Sequence, residues 1–141
     1  MPITTGVQYP VPVTATADLV GQTANVASTA LFTARSAGIY KIGALEVLTT
    51  PGTTSSVLPA VSITYTDADT NVVKTVTVAD TTTNALGDTI HNFGEYNVAN
   101  NTVVSFSTAS YASVGATPMA YALHIRCQYL DPSYGIGANP E

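Results

Sequence analysis

The longest regular alternation of apolar and polar residues lies between Pro118 and Leu130. Successive side chains of a β-strand point to opposite faces, so a period of two predicts a long strand with one buried face and one polar, partly covered face. Pro118 and Pro132 cannot donate a backbone hydrogen bond to a sheet, and they mark the two ends of this strand. The residues predicted to be buried are Tyr121, Leu123, Ile125, Cys127 and Tyr129.

A second long strand pattern, IYKIGALEVLT, changes its parity halfway. Tyr40 and Ile42 lie on one face, whereas Leu45 and Val47 lie on the other. Gly43 stands between the two pairs, and a β-bulge of one residue at this glycine would turn both pairs towards the core. The sequence therefore predicts a bulged strand, the natural neighbour of the long C-terminal strand at the centre of a sheet.

Shorter alternating segments rich in Val, Thr and Tyr fill most of the chain between these two strands. Val61, Ile63 and Tyr65 are predicted to face inwards on one of them, and Val104 and Phe106 on another. Together the patterns indicate about eight strands, and no segment of about ten or more residues has the period of a helix. The predicted fold class is all-β: a jelly-roll β-sandwich of about eight strands with an extended N-terminal arm.

The first 17 residues read as the arm, because Pro2, Pro10 and Pro12 disfavour a helix and remove donors from any ladder. Two interpretations of the arm remain open: it folds back on its own domain, or it reaches onto a neighbouring subunit. The chain is then divided into an arm (1–17), a sandwich (18–131) and a C-terminal tail (132–141). The apolar residues of the arm predicted to bind a partner are Ile3, Val7, Tyr9, Val11 and Val13.

Charge is scarce along the whole chain. Charged residues make up 9% of it, against about 25% in an ordinary soluble domain, and the net charge is −5 with only 4 Lys and Arg residues. With so few bases no basic stripe can neutralise phosphates, so nucleic-acid binding is not expected. Mean hydropathy is +0.24, yet no apolar run reaches the ~20 residues of a membrane helix, so membrane binding is not expected either.

A surface so poor in charge gives little protection against association. We expect a subunit of a homo-oligomer whose surface is largely covered by neighbours. The N-terminal sequence lacks the basic and apolar regions of a signal peptide, and the single cysteine, Cys127, cannot form an internal disulfide; both fit synthesis in a reducing cytoplasm. The 8 tyrosines, against 3 Phe and no Trp, fit either a core or a tyrosine-rich oligomer contact.

Two segments carry a resemblance to a known fold family. The run AGIYKIGALEV follows a short strand containing Phe32, and it resembles the Gly-x-Tyr strand of the trimeric jelly rolls of the complement and tumour-necrosis-factor type. The segment MAYALHIRCQYL resembles the last core strand of the same fold. Together with charge-poor, threonine-rich segments such as PAVSITYTDAD, the sequence is similar to small virion proteins of tailed bacteriophages. The resemblance covers residues 29–130.

The resemblance implies a trimer located in a virion. We accordingly expect a structural protein, a decoration or cement subunit that stabilises a phage capsid by binding between subunits of the major capsid protein. Its place would be the capsid surface, after synthesis in the host cytoplasm. The alternative is the receptor- or glycan-binding tip of a phage head or tail fibre, although the loops consist mostly of Thr, Ser, Gly and Asn and the chain has no fibre shaft.

Asp67, Asp69 and Asn71 have the opening spacing of a calcium-binding loop. Such a loop needs a glycine where this chain has Val72 and a bidentate glutamate where it has Val78. Acidic and amide residues also suit a hairpin turn. The favoured interpretation is a turn, with a calcium site as the alternative, and no cofactor is expected.

No catalytic constellation stands out among the remaining polar residues. Two histidines are present, and Cys127 has the opposite parity to His124 in a strand, so the two do not form a zinc site. Cys127 itself is expected to be a buried, inert thiol. Glu46 and Glu95 share only their residue type with the carboxylate pair of a glycosidase, and both are expected at exposed positions. We therefore expect no enzymatic activity.

Overall fold

The computed structural model describes residues 13–79 and 84–130, and its regular elements in those ranges are all β-strands. No helix there is long and apolar enough to cross a membrane. The strands are β1 Val13–Gln22, β2 Thr29–Thr33, β3 Gly38–Thr50, β4 Ser55–Val57, β5 Ala60–Thr66, β6 Val73–Val78, β7 Thr89–Val98, β8 Val103–Ala109, β9 Ala112–Val114 and β10 Ala120–Leu130.

Eight of these strands form two antiparallel sheets of four strands each. Sheet A has the order β1-β10-β3-β7 and sheet B the order β2-β8-β5-β6, while β4 and β9 pair as a small ribbon. The chain passes repeatedly from one sheet to the other, as in a jelly roll. The predicted jelly-roll sandwich is confirmed, with ten strands in the described ranges where the sequence indicated about eight.

The inner faces of the two sheets meet in one core. As predicted, β3 and β10 lie side by side at the centre of sheet A. Ile42, Leu123 and Ile125 from this sheet are fully buried, as are Val61 and Ile63 from sheet B. Each such side chain contributes about 1.5–3 kcal/mol to folding when it leaves water. All five residues predicted for the buried face of β10 lie in this core or pack against it.

The predicted bulge at Gly43 is wrong. β3 pairs with β7 without a register shift, and its pairing with β10 shifts only at the far end. Because ladders hold both edges of β3, an extra residue in it would leave backbone groups unpaired on two sides. The alternation therefore continues, Glu46 points into the core, and Leu45 and Val47 lie on the outer face. The expectation that Glu46 is exposed is wrong as well, whereas Glu95 is exposed as expected.

Strand β1 begins earlier than the predicted end of the arm. It starts at Val13, so residues 13–17 belong to sheet A, where they pair with β10. Ala15, Ala17 and Leu19 are partly buried against the core, and exposed residues alternate with them. The alternation of Ala15, Ala17 and Leu19 with polar residues is visible in the sequence. Residues 13–17 of the predicted arm are therefore part of sheet A, and the rest of the predicted arm lies outside the described residues.

Tyrosines occupy the core of the sandwich. Their rings fill space between the sheets while their hydroxyls find partners inside, which is how this side chain is buried without loss of hydrogen bonds. Tyr121, for example, is fully buried and donates to the carbonyl oxygen of Ala24 at 2.7 Å. The most buried tyrosines are Tyr40, Tyr65, Tyr96 and Tyr121. Of the two interpretations, a core role is the correct one for these four.

Candidate functional site

The outer face of sheet A, which points away from the core, has an apolar centre. The ring of Phe93 on β7 is 61% exposed and lies over Gly43, where a Cβ atom would be 2.4 Å from the ring. Leu45 and Val47 follow on β3 and are half-buried. An exposed ring beside aliphatic side chains is typical of the centre of a protein interface. We call Leu45, Val47 and Phe93 the apolar patch.

A charged cluster on β1 and β10 borders the apolar patch. His124 is the cross-strand neighbour of Leu45, and its Nδ1 lies 2.6 Å from Oδ1 of Asp18. Arg126 donates from Nη1 to the same oxygen at 3.0 Å. The hydrogen bond with His124, followed by that with Arg126, holds the pKa of Asp18 below its ordinary value. All three side chains are accessible to water, so the cluster adds little to the stability of a single chain.

Charges of both signs occur on the other side of the patch too. Lys41 on β3 and Glu95 on β7 are cross-strand partners, and both are exposed. Lys41 and Arg126 are two of the four basic residues of the chain. An apolar centre surrounded by charges of both signs can be complementary to the surface of another copy of the chain.

The outer face of sheet B is different in kind. It is covered by hydroxyl groups that bond to each other across the strands: Ser62 with Thr77 at 2.7 Å, and Thr64 with Thr75 at 2.9 Å. Such a ladder satisfies its own hydrogen bonds and tolerates water. Two valines, Val73 and Val103, are also exposed on strands of sheet B, so the contrast between the two outer faces lies in the exposed ring of Phe93.

The sequence contains a signal for this surface that parity alone did not reveal. The segment ALEVL on β3 is apolar in both parities except at Glu46, which is typical of a strand covered on both faces. A pattern with a single buried face, in contrast, predicts Leu45 and Val47 in the core. Phe93 belongs to the segment Thr89–Val98, whose apolar residues recur irregularly, so parity does not assign its side chain to a face.

Of the predicted partner-binding residues, Val13 is the one that lies within the described ranges. Val13 is the first residue of β1, where it pairs with Gln128 of β10. The others lie outside the described residues, and their role stays a prediction: Ile3, Val7, Tyr9 and Val11.

The hydrogen bonds of the Asp67–Asn71 segment support a turn. Oδ2 of Asp67 accepts from the amide of Thr70 at 3.0 Å and from its hydroxyl at 2.7 Å. These bonds, with that from the Thr70 hydroxyl the largest, lower the pKa of Asp67. Asn71 adopts a φ of 57°, which amide residues tolerate in turns. Asp67 is thus engaged in the hairpin, and Asp69 remains exposed.

The described ranges do not gather a metal site from their titratable side chains. No group of three or more His, Cys, Asp or Glu residues within them is arranged to hold an ion. Cys127 is fully buried on the inner face of β10, as predicted, and burial raises the pKa of its thiol to about 12. A thiol in that position is not a nucleophile at neutral pH.

Glu46 is the most unusual titratable group of the fold. Its side chain is fully buried between the sheets, and neither carboxyl oxygen has a hydrogen-bond partner. Its neighbours across the strands are Ile90 and Leu123. Burial raises the pKa of Glu46 to about 8, so the carboxyl carries a proton at neutral pH. Burial raises the pKa of the nearby Tyr121, and the negative charge that Glu46 carries above its own pKa raises it further.

Comparison with known proteins identifies a similar fold. No family model matches the sequence, and no curated protein matches it. Among solved structures, the globular domain of a zebrafish complement 1qA protein is similar, with a TM-score of 0.55 and 9% identity over 82% of this chain and 96% of that chain. At this identity the similarity concerns the fold alone, and it confirms the predicted complement-type jelly roll. It does not bear on the predicted similarity to bacteriophage proteins.

Proposed function

We propose that this chain is a non-catalytic assembly subunit that forms a homotrimer through the outer face of sheet A. The observation that carries the proposal is the apolar patch, with Phe93 61% exposed beside Leu45 and Val47. Burying a phenylalanine side chain contributes about 1.5–3 kcal/mol per subunit. The charges around the patch have both signs, so positive groups of one copy can lie against negative groups of another.

Three copies are favoured by the fold and by the sequence resemblance together. The segments around Tyr40 and Tyr121 resemble strands of trimeric jelly rolls, and the fold is similar to that of a complement 1qA globular domain. A three-fold arrangement buries one extended face on each subunit and leaves the hydroxyl-covered face of sheet B in water. A stable contact needs roughly 800 Å² from each partner, which one face of a four-stranded sheet can supply.

Within this role we propose that the trimer is a capsid decoration subunit of a bacteriophage. The resemblance of the threonine-rich, charge-poor sequence to small virion proteins supports this step. In this proposal the N-terminal arm contacts the major capsid protein through apolar residues such as Ile3, Val7 and Tyr9. Three arms on one trimer bind a lattice jointly, so a modest contact repeated three times holds firmly.

Sedimentation of the full chain, alone and mixed with expanded empty phage heads, tests the proposal. Alone, the chain is expected to have three times its mass of 14.5 kDa. In the mixture it is expected to pellet with the heads. A matched variant that lacks residues 1–9 should keep the trimer mass and lose the heads, because the deletion ends before β1.

The outcomes separate the two parts of the proposal. A mass of 14.5 kDa at every concentration contradicts the assembly subunit itself. A trimer that binds host cells and not heads contradicts the decoration role and favours a fibre tip. Head binding that survives deletion of residues 1–9 contradicts the role given to the arm.

A further inference from the structure

An aromatic pocket opens at one end of the sandwich, where side chains from both sheets line it. Its volume is about 560 Å³. Tyr40 on β3 is 3% exposed and forms the floor. Its ring centroid lies 4.8 Å from that of Tyr129, its cross-strand partner on β10, and 5.2 Å from that of Phe32 on β2. Pockets of about 300–1,000 Å³ with aromatic walls are typical of sites for small molecules.

The segment that follows β2 forms one edge of this pocket and is held in place by hydrogen bonds within the chain. The amide of Ala34 donates to the carbonyl oxygen of Thr102 at 2.8 Å, and the amide of Asn101 donates to the carbonyl oxygen of Ala34 at 2.7 Å. The hydroxyl of Tyr40 donates to the carbonyl oxygen of Ser36 at 2.8 Å. The backbone on both sides of Arg35 is therefore fixed, so a ligand need not order it, and this lowers the cost of binding.

The pocket carries a positive charge in a chain whose net charge is −5. Arg35 lines the pocket, and none of the described residues that line it is acidic. Arg35 forms no ion pair with any other residue of the described ranges. Its side chain is exposed, so its five guanidinium donors can meet an anion from solution.

The aromatic rings of the pocket can hold one further ring. The hydroxyls of Tyr40 and Tyr129 donate to carbonyl oxygens of the segment after β2, at 2.8 and 3.3 Å, which leaves their ring surfaces to face the pocket. The ring of Tyr40 is tilted by 39° to that of Phe32 and by 44° to that of Tyr129. Tilted rings present both faces and edges, the two parts of a ring that attract another ring.

We propose that the aromatic pocket binds a small aromatic carboxylate. The ring of the ligand packs against Phe32 and Tyr129, and its carboxylate accepts two parallel hydrogen bonds from the guanidinium of Arg35. Both parts are needed, because an exposed ion pair by itself contributes little. Aromatic rings alone would also attract a cation, but the charge of Arg35 at the edge repels one.

The inference goes beyond the proposed function, since the pocket lies within one chain and requires neither a trimer nor a virion. Phe93 and the rest of the apolar patch lie on the outer face of sheet A, whereas Tyr40 is buried on its inner face. Sedimentation of the samples used for binding gives the oligomer mass independently. A failed trimer and an empty pocket are therefore separate results.

Titration of the full chain with 2-naphthoate, followed by nuclear magnetic resonance, tests this inference. One saturable site per chain is expected, with the largest shifts in the signals of Phe32, Arg35 and Tyr129. The signals of Phe93 should stay unchanged. The neutral 2-naphthamide has the same rings and no charge, and it is expected to bind about 10-fold more weakly because it lacks the charge-assisted hydrogen bonds.

Two matched variants each remove one positive charge. Arg35→Gln is expected to lower the affinity for 2-naphthoate about 10-fold and to change that for 2-naphthamide far less. Lys74→Gln is the control, because Lys74 is exposed on β6, at the opposite edge of sheet B from β2. It should bind both ligands as the wild-type chain does.

Four outcomes overturn the proposal. The first is the absence of saturable binding of 2-naphthoate to the full chain. The second is equal affinity for the acid and the amide, since the site then selects no carboxylate. The third is an equal loss of affinity in Arg35→Gln and Lys74→Gln, because net charge then governs binding. The fourth is a set of shifts centred on Phe93, which places the ligand on the apolar patch.

Discussion

Replacing Glu46 by leucine is expected to stabilise the folded chain at pH 8 by on the order of 3 to 5 kcal/mol. The carboxyl is fully buried, neither of its oxygens is hydrogen-bonded, and burial raises its pKa from 4.5 to about 8. Leucine is of similar size and has no polar group to satisfy. A buried charge without a partner is less stable than an apolar side chain in the same place.

The pH dependence of this effect follows from the direction of the shift. The unfolded chain releases the proton of Glu46 near pH 4.5, while the folded chain holds it to about pH 8. The contribution of Glu46 to the free energy of unfolding is therefore fully present below pH 4.5. It is lost as the pH rises to about 8, by up to ~1.4 kcal/mol per pH unit. A Glu46→Gln chain has no proton to release there, so its stability should lack this slope.

Urea unfolding between pH 4.5 and pH 9, followed by far-ultraviolet circular dichroism, measures these differences. The protein concentration is held fixed because assembly would add its own stabilisation. Glu95→Gln is the matched control: Glu95 is exposed on β7, and its variant should keep the wild-type slope. Equal slopes for wild type and Glu46→Gln would mean that Glu46 is not buried as described.

Replacing Phe93 by aspartate is expected to dissociate the proposed trimer. The change removes an apolar ring from each contact and adds a charge that the contact would have to dehydrate. Each subunit loses about 1.5–3 kcal/mol of burial, so the concentration at which the trimer dissociates should rise at least about 100-fold. Sedimentation velocity at one fixed concentration would then detect the single chain of 14.5 kDa.

Val73→Asp is the matched control for this variant. Val73 is 64% exposed, close to the 61% of Phe93, but it lies on β6 of sheet B. It should leave the trimer mass unchanged. If both variants dissociate the trimer, the effect comes from added charge in general; if neither does, the apolar patch is not the contact.

The alternation of apolar and polar residues correctly predicted which side chains are buried where a strand has one covered face. It gave the wrong side chains where both faces of the strand are apolar. On β10 the two faces differ clearly, and the residues assigned to the core, such as Leu123 and Ile125, are fully buried. On β3 apolar residues occupy both parities, so the apolar rule favoured Leu45 and Val47 over Glu46. Only the unbroken ladders on both edges of β3 decide which set points inwards.

Phe93, unlike Leu45 and Val47, carries no signal in the sequence that assigns it to the candidate surface. The ring of Phe93 lies over Gly43, which is 50 residues away in the chain and directly opposite on the neighbouring strand. Tyr40 likewise packs against the rings of Phe32 and Tyr129, which lie on strands that are far apart in sequence. Local sequence patterns predict where the strands are, but they do not predict which residues of different strands meet to form a site. The low charge of the chain predicted association without locating it.

Hydroxyl-radical footprinting of the wild-type full chain tests most directly whether the outer face of sheet A is covered by other copies. In the isolated chain Phe93 is 61% exposed and Phe106 is 3% exposed. At a concentration where the trimer is populated, Phe93 is expected to be oxidised about as slowly as Phe106, while Leu86, 72% exposed, reacts freely. Oxidation of Phe93 much faster than that of Phe106 at every concentration would contradict self-association through this face.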